Sequence, residues 1–320
     1  RQALALGAVA LVPAWACAQG QARIDRPVRI VVPYPPGGTS DLLARTVGAR
    51  LGERLAQPVV IENKAGAGGV IGSQQVAKAA PDGTTLLLST IATHGIIPAL
   101  QKTPLYDPVR DFTPITIIAG TPNVLLVNKD LPVHTLEEFL ALARSKPGAL
   151  SFGSTSQGGS PHMSGELLKV MARIDMLHVP YKGGGPMLID LMGGQVPAAF
   201  DNLPSAMAHI RGGKVRALAV TTTKRWPTAP DIPTMAEAGV PGYEMAAWFG
   251  LMAPPGLPRP LAQLLYREVA AILQEPEVAK RLLELGAEPS GITPEEFSRF
   301  LVDEREKWTR VGASAGVKLD

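Results

Sequence analysis

Cysteine, charged and aromatic side chains are all scarce in this sequence. Of 320 residues, one is cysteine, 18% are charged and 5% are aromatic. The single cysteine, Cys17, lies in the first apolar segment, so the rest of the chain has no thiol for a disulfide, a thiolate metal site or a cysteine nucleophile. Such a chain has to be held together by its core, and its 46% of apolar residues are enough for one.

Basic residues are few and dispersed along the chain. Lys and Arg number 31 against 28 Asp and Glu, which gives a formal net charge of +3, and no basic run is longer than two residues. Proteins that bind nucleic acid usually gather their basic residues on one face or in one stretch. The sequence therefore argues against a nucleic-acid partner.

No apolar run reaches the roughly 20 residues that a helix needs to cross a bilayer. One segment, Ala3 to Ala18, comes near; it follows Arg1, is broken by Pro13 and ends in small residues. These are the parts of a secretory signal peptide, so we predict that residues 1–18 are removed and that the product is periplasmic. Lipidation of Cys17 is the alternative, although the residues before it make a poor lipobox.

Motifs of common enzyme and cofactor sites are also missing. The loop Gly66 to Gly72 has Ile71 where G-x-G-x-x-G requires glycine, and neither a P-loop nor G-x-S-x-G occurs. The five histidines are far apart and form no H-E-x-x-H. We therefore expect no cofactor, no metal and no enzymatic activity. The alternative is a hydrolase or transferase that uses Ser160 and His162, but residues two positions apart on a helix do not face each other.

The sequence does contain a regular alternation of apolar runs and amphipathic stretches from Val28 onward. This βαβ pattern is typical of an α/β protein. We predict lobe 1 from residues 26–122 together with 250–320, and lobe 2 from residues 123–249. The strand-like runs Ile115–Ala119 and Val124–Val127 form either an antiparallel pair or a crossing between the lobes, and Tyr243–Ala253 is predicted to carry the chain back.

Glycine and proline concentrate where predicted strands lead into helices. At such a turn, free backbone N–H groups and the positive end of a helix dipole point toward the carboxyl edge of the sheet, where open α/β sheets bind ligands. One such turn is explained by tight-turn geometry alone, but four of them predict a site that holds a small anion with backbone and hydroxyl groups. The turns are Pro35–Ser40, Gly153–Pro161, Lys182–Pro186 and Asp201–Pro204.

Several blocks of the sequence resemble the Bug family, the periplasmic solute-binding proteins of tripartite tricarboxylate transporters. Among the most specific are RIVVPYPPGGTSD (Arg29–Asp41), FGSTSQGGSPHMSGELL (Phe152–Leu168) and HVPYKGGGPMLIDLMGGQV (His178–Val196). The resemblance implies a type II-like periplasmic binding protein, in which two α/β lobes, each a mixed sheet flanked by helices, are joined by crossing strands. It also implies that the lobes close around a carboxylate-bearing ligand.

Carried over position by position, the resemblance implies ligand-binding residues in both lobes. In lobe 1 they are Tyr34, Gly37, Gly38, Thr39, Asp41, Thr90 and His94. In lobe 2 they are Ser154, Thr155, Ser160, His162, Tyr181, Lys182 and Asp201.

Two of these residues have more than one interpretation. Asp41 either stabilises the first turn of its helix or orients water or an amino group of the ligand. Lys182 either pairs with a ligand carboxylate or is a solvated loop charge.

The sequence thus predicts a monomeric protein that captures a small organic anion, such as a di- or tricarboxylate, by lobe closure. The resemblance implies that it delivers this anion to a membrane permease. The other binding hypothesis is an orphan protein that signals to a receptor.

Overall fold

The computed structural model describes residues 22–315, with side chains as far as Val311. The predicted signal peptide and Cys17 lie outside these residues. No helix within the described part combines the length and apolar composition needed to cross a membrane.

Strands and helices alternate along most of the chain, as the sequence predicts. The strands are β1 (Val28–Val32), β2 (Val59–Asn63), β3 (Thr85–Thr90), β4 (Thr113–Asn128), β5 (Ser151–Ser154), β6 (Leu177–Pro180), β7 (Ala198–Asn202), β8 (Val215–Val220), β9 (Ala246–Ala253) and β10 (Glu288–Pro289). The helices are α1 (Thr39–Leu55), α2 (Val70–Ala77), α3 (Ile97–Leu100), α4 (Leu136–Ser145), α5 (Ser160–Ala172), α6 (Gly184–Met192), α7 (Leu203–Arg211), α8 (Arg259–Gln274), α9 (Pro276–Leu285) and α10 (Pro294–Ala315).

These strands form one mixed sheet in the order β2-β1-β3-β9-β4-β7-β5-β6, with β8 and β10 also paired to β4. Within it, β1 runs parallel to β2 and β3, and β5 runs parallel to β6 and β7. Both sets are joined to β4 by antiparallel pairs: the first set through β9 and the second through β7. The sheet therefore has two halves of similar construction that share one strand. The lobe bounds given above stay a prediction.

Strand β4 spans 16 residues and contains both of the runs that the sequence marks as separate strands. The two runs do not pair with each other, because the residues between them stay extended: Thr121 and Pro122 lie opposite Ala247 and Ala246 of β9. From Asn123 onward the partners of β4 are β7 and β8. Of the two interpretations of this region, the crossing is confirmed and the antiparallel pair is wrong.

The return strand β9 begins at Ala246, three residues later than predicted. The residues before it form a turn in which the N–H of Tyr243 donates to the carbonyl of Val240. The ring of Tyr243 is buried, and its hydroxyl donates to the carbonyl of Ser164 at 2.6 Å. The apolar side chains of this turn pack it against a helix. The hydrophobic pattern of the sequence does not distinguish such a packed turn from a strand.

The C-terminal helices pack on the first half of the sheet. Helix α8 lies against α1, and an ion pair of 2.7 Å from Arg54 Nε to Glu268 joins them. A second pair of 2.7 Å runs from Arg50 Nε to Glu275, the residue between α8 and α9. Helix α10 lies against α3 and contacts β4. Strand β3, which is buried at all six positions, contacts α1 and α2.

Gly165 in the middle of α5 sets how closely that helix approaches the sheet. A Cβ at this position would overlap the ring of Phe152, which is fully buried on β5. We expect Gly165→Ala to lower the free energy of unfolding by about 1–3 kcal/mol in urea denaturation, because the ring has no space into which to move. Gly185→Ala on α6, where a Cβ meets nothing within 4 Å, is the matched control and should cause no loss. A Gly165→Ala protein as stable as the wild type would contradict this account of the packing.

Candidate functional site

The four glycine- and proline-rich turns meet at one cavity. They connect β1 to α1, β5 to α5, β6 to α6 and β7 to α7. The ends of β3 and β9 complete the wall. The lining residues are Tyr34, Pro35, Gly38, Thr39, Ser40, Thr90, Ile91, Ala92, Thr155, Ser156, Gly159, Ser160, Pro161, Gly183, Gly184, Asp201, Asn202, Ser205, Ala247 and Phe249.

The N-termini of α1, α5 and α6 reach this cavity without a side-chain cap. Their N-cap residues are Gly38, Gly159 and Gly183, none of which carries a side chain that could accept from the first turn. The N–H groups of a first helical turn have no partner within the helix. A bound anion would accept hydrogen bonds from such groups and would be stabilised by the helix dipoles.

No lysine, arginine or histidine is among the residues that line the cavity. Its polar groups are hydroxyls, amides, backbone groups and one carboxyl, and a part of its wall is apolar, formed by Ile91, Ala92, Ala247 and Phe249. The cavity thus offers neutral donors to a polar group and an apolar surface to a hydrocarbon segment.

Asp41 holds the loop of the first turn in place. Its carboxylate accepts hydrogen bonds from the Gly37 N–H at 3.0 Å, from Asn63 Nδ2 at 3.0 Å and from Arg45 Nε at 2.9 Å. Burial opposes ionisation of this carboxyl, but the hydrogen bonds from Arg45, Gly37 and Asn63 outweigh it and lower the pKa of Asp41. Because its oxygens are engaged within the loop, Asp41 is a positioning residue and does not line the cavity.

Tyr34 joins the same loop to its neighbours. Its hydroxyl donates to the Gly68 carbonyl at 3.0 Å and lies 3.2 Å from Thr90 Oγ1. Burial raises the pKa of the Tyr34 hydroxyl to about 12, so the group remains a neutral donor and acceptor at physiological pH. Gly37, with a φ of +85°, adopts a left-handed conformation that side chains disfavour.

His162 supports the turn before α5. Its Nδ1 accepts from the Gly158 N–H at 3.1 Å, and its ring stacks on His178 with centroids 3.8 Å apart. His178 Nε2 is 2.7 Å from Ser154 Oγ. Burial lowers the pKa of both rings, that of His178 to about 3, so both are neutral at physiological pH. Ser154 and His162 therefore lie behind the turn and shape it from outside the cavity.

Ser160 and His162 are not arranged as a nucleophile and base. The Ser160 hydroxyl donates to Asn123 Oδ1 at 3.2 Å, whereas Nδ1 of His162 is engaged with the loop backbone. Within residues 22–315, no three His, Cys, Asp or Glu side chains are grouped so that they could hold a metal. The geometry gives no support to the hydrolase or transferase alternative.

Asn123 of β4 connects the elements beneath the cavity. Its Oδ1 accepts from Asn202 Nδ2 at 2.6 Å and from Ser160, and its Nδ2 donates to Ser164 Oγ at 2.9 Å. The side chain is fully buried. Asn123 is not among the residues predicted from the sequence. The signal that could have identified it is an amide next to the apolar run of a predicted buried strand.

The first and second halves touch directly at Thr39 and Ser205. Thr39 Oγ1 donates to Ser205 Oγ at 3.2 Å, and Ser205 donates onward to the Asn202 carbonyl at 3.0 Å. Pro35 also packs close to Gly183, where a Cβ would stand 3.1 Å from the proline ring. The cavity is therefore closed by contacts between the two halves. Ser205, in the first turn of α7, is likewise not among the residues predicted from the sequence.

The structure brings seven of the predicted site residues to the cavity and leaves seven outside its wall. Those at the wall are Tyr34, Gly38, Thr39, Thr90, Thr155, Ser160 and Asp201. Those outside are Gly37, Asp41, His94, Ser154, His162, Tyr181 and Lys182.

Of these seven residues, His94 departs most from its predicted role in ligand binding. It is fully buried, with its ring against Tyr106 and Phe112 and its Nδ1 2.9 Å from Thr93 Oγ1. Burial lowers the pKa of His94 to about 3. The histidine is thus part of an aromatic cluster in the core.

Tyr181 and Lys182 also turn away from the cavity. The Tyr181 hydroxyl donates to Asp190 Oδ2 at 2.8 Å, and the Lys182 side chain is exposed. Of the two interpretations of Lys182, the solvated loop charge fits this placement. Trp248 of β9 donates from Nε1 to Glu304 at 3.0 Å and packs against Phe297 and Phe300, which is a structural role.

Comparison with known proteins decides the family. Residues 43–317 match the family described as the tripartite tricarboxylate transporter family receptor. The chain belongs to this family. The resemblance seen in the sequence is confirmed.

Relatives of the family are similar over nearly the whole chain. Protein BugT of Bordetella pertussis is 38% identical over 295 residues, which are 92% of this chain and 90% of BugT. The structure of Rhodopseudomonas palustris Rpa4515 with adipate is 43% identical with a TM-score of 0.89, covering 92% of this chain and 98% of that one. The structure of MatC from Rhodopseudomonas palustris with bound malate is 37% identical with a TM-score of 0.85, covering 90% and 99%. The matched structures include periplasmic binding proteins, which confirms the predicted α/β fold.

Removing the charge of Asp41 tests its role in the loop. We expect Asp41→Asn to lower the free energy of unfolding at pH 7 by about 1–3 kcal/mol, since the amide cannot accept all three hydrogen bonds. Because the pKa of Asp41 is lowered in the folded protein, its contribution is present above the unfolded pKa and is lost as the pH falls through the folded pKa. The stability difference between wild type and variant should therefore shrink in acid, as measured by urea denaturation from pH 7 to pH 3. Asp25→Asn, at an exposed position, is the control; a difference that is small at pH 7 or grows in acid would contradict this role.

Proposed function

We propose that this protein is an extracytoplasmic solute-binding protein that captures a small carboxylate-bearing metabolite and delivers it to a membrane permease of the tripartite tricarboxylate type. The observation that carries the proposal is the convergence of uncapped helix N-termini at one cavity without cationic side chains. Backbone N–H groups and hydroxyls are suited to a carboxylate, which accepts several hydrogen bonds at once. The bound adipate and malate of the two solved relatives support the same ligand class.

The shape of the wall favours a dicarboxylate with an apolar spacer. Ile91, Ala92, Ala247 and Phe249 form an apolar surface at the ends of β3 and β9, whereas the donors come from the four turns. A ligand such as adipate would place its carboxylates against the donors and its methylene groups against this surface. Burying the methylene groups would add about 0.8 kcal/mol each.

Binding would draw the two halves of the protein together. The first-turn N–H of Thr39 in α1 belongs to the first half, and those of Ser160 in α5 and Gly184 in α6 belong to the second. A ligand that contacts both halves stabilises the closed arrangement relative to an open one, which is the basis of capture by hinge closure. In this scheme the protein acts as a monomer in the periplasm, after removal of residues 1–18.

A thermal-shift screen of the chain from residue 19 onward tests the ligand class. The panel would hold adipate, malate, citrate, monocarboxylates, neutral sugars and amines. At 100 times its Kd, a ligand adds about 2.7 kcal/mol, which raises the midpoint of a protein of this size by several degrees. We expect dicarboxylates to give the largest rise. A rise with sugars or amines and none with any carboxylate would refute the proposal.

Gly38 permits a direct test of the first turn. It is the N-cap of α1 and has extended backbone, and a Cβ there meets nothing within 4 Å. Gly38→Asp should therefore fold normally, because aspartate is a favourable N-cap residue, yet it would place a negative charge at the cavity. We expect carboxylate affinity to fall at least 100-fold by calorimetric titration, with no fall in Tm.

The matched variant Gly38→Asn separates charge from bulk. Asparagine has nearly the same size and also caps helices. We expect it to weaken binding much less than Gly38→Asp does. Equal affinities of the two variants would show that charge at this turn is unimportant and would contradict the anion site.

A further inference from the structure

The carboxyl of Asp201, at the end of β7, is the one ionisable acid among the described residues that line the cavity. Asp201 is fully buried. Its Oδ1 accepts from the Asn202 N–H at 2.8 Å, but Oδ2 is also buried and has no hydrogen-bond partner. A buried carboxyl oxygen without a partner is costly, so its presence at a binding cavity points to a partner that arrives with the ligand.

Oδ2 lies beside the N-terminus of α6, which forms part of the cavity wall. A Cβ on Gly184 would stand 3.3 Å from it, and Gly184 is itself a lining residue. The nearby Ser205 hydroxyl donates its proton to the Asn202 carbonyl, so it has none left for this oxygen. No neighbouring side chain or backbone N–H within the described residues donates to Oδ2.

No basic side chain compensates a charge on Asp201 from the elements packed around β7. Strands β4 and β5 carry no ionisable residue, and the cavity wall adds the neutral Tyr34. The ionisable residues of the helices packed on β7 are His162, Glu166 and Lys169 of α5, Asp190 of α6, and His209 and Arg211 of α7. Glu166 pairs with Lys169, Asp190 accepts from Tyr181, and His209 and Arg211 occupy the last turn of α7, at the opposite end from the cavity.

This setting favours the neutral acid. Burial raises the pKa of Asp201 to about 7, against the opposing hydrogen bond from the Asn202 N–H. Because Oδ1 already accepts the Asn202 N–H, the proton of the neutral acid belongs on Oδ2. An anion placed in the cavity would disfavour the ionised form still more, since two carboxylates at hydrogen-bond distance cannot both remain charged.

We propose that Asp201 binds the ligand as a protonated acid, with Oδ2–H donating to a carboxylate oxygen of the captured anion, so that capture near neutral pH takes up a proton. The inference rests on the proposed function and extends it: the site recognises carboxylates with a hydrogen bond that exists only while Asp201 carries its proton. Affinity for a dianion should then decline as the pH rises through the pKa of Asp201 in the free protein.

The opposite arrangement is an ionised Asp201 that accepts a hydrogen bond from a hydroxyl or ammonium group of the ligand. It predicts the reverse pH dependence, with affinity rising as Asp201 ionises. It also predicts that an amide at this position would impair binding. The two arrangements are therefore distinguished by the sign of the pH effect and by one substitution.

The pH dependence of adipate affinity is measured by calorimetric titration of the chain from residue 19 onward, at pH 6.5 and pH 8.5. Adipate is fully ionised over this range, because aliphatic carboxyl groups titrate near pH 4 to 5. We expect affinity to fall about tenfold or more between the two values, as follows from a group that titrates near 7 in the free protein. Titrations at pH 8 in two buffers of different ionisation enthalpy should show uptake approaching one proton per adipate bound, and this measurement needs no variant.

Asp201→Asn supplies the decisive comparison. Its amide occupies the same space and donates a hydrogen bond at every pH, so we expect its affinity to change less than twofold between pH 6.5 and pH 8.5 and its proton uptake to vanish. Asp130→Asn removes an exposed carboxylate and should keep the wild-type pH dependence. Malate, which has a hydroxyl, is titrated in parallel.

Each outcome decides the matter. The protonated-acid arrangement is overturned if wild-type affinity is constant or rises with pH. It is also overturned if the Asp201→Asn protein binds adipate and malate at least tenfold more weakly at pH 6.5. Both results leave the carboxylate-binding function intact. A folded wild-type protein that binds no carboxylate at either pH overturns the proposed function, and this inference with it.

Discussion

The amide of Asn123 is the interaction on which the site depends. It lies on β4, the strand that both halves of the sheet share, at the residue where the pairing partners of β4 change. Its side chain fixes Ser160 at the start of α5 and Asn202 at the end of β7. Two of the four turns that line the cavity are thereby set in position relative to the crossing strand. A buried amide whose oxygen and nitrogen both form hydrogen bonds also specifies one arrangement of its neighbours, since any other leaves polar groups unpaired.

A second constraint is the shortage of charge at the cavity. Several side chains that would be natural anion ligands, among them Lys182, His162 and His94, are exposed, neutral behind a turn or buried in the core. Recognition is left to helix N-termini and hydroxyls, whose positions follow from backbone geometry. Residues such as Asp41 and His162 contribute to binding indirectly, because they hold that backbone in place. The site thus depends on the conformation of its loops more than on charged contacts.

Much of the fold follows from the sequence, because hydrophobic periodicity and turn chemistry report local structure directly. The runs that became β1, β3, β5 and β7, and the turns after three of them, lie where the pattern predicts. The sequence left two interpretations of the β4 region, since the course of this strand through Thr121 and Pro122 depends on the pairing partner β9, which is more than a hundred residues away in sequence. Within the site, glycine-rich turns were visible, but the direction of each side chain was not. His94 and Tyr181 instead contact Phe112 and Asp190, which lie outside the predicted turns.

The hydrogen bond from Thr39 to Ser205 has a consequence for the balance between conformations. It joins the starts of α1 and α7, which belong to different halves of the sheet, and both hydroxyls would find water as a partner if the halves separated. Exchange of a neutral protein hydrogen bond for bonds to water costs about 1 kcal/mol. This contact by itself therefore holds the halves together by little more than thermal energy. Contacts of a ligand with both halves would add to it and shift the population toward the closed form.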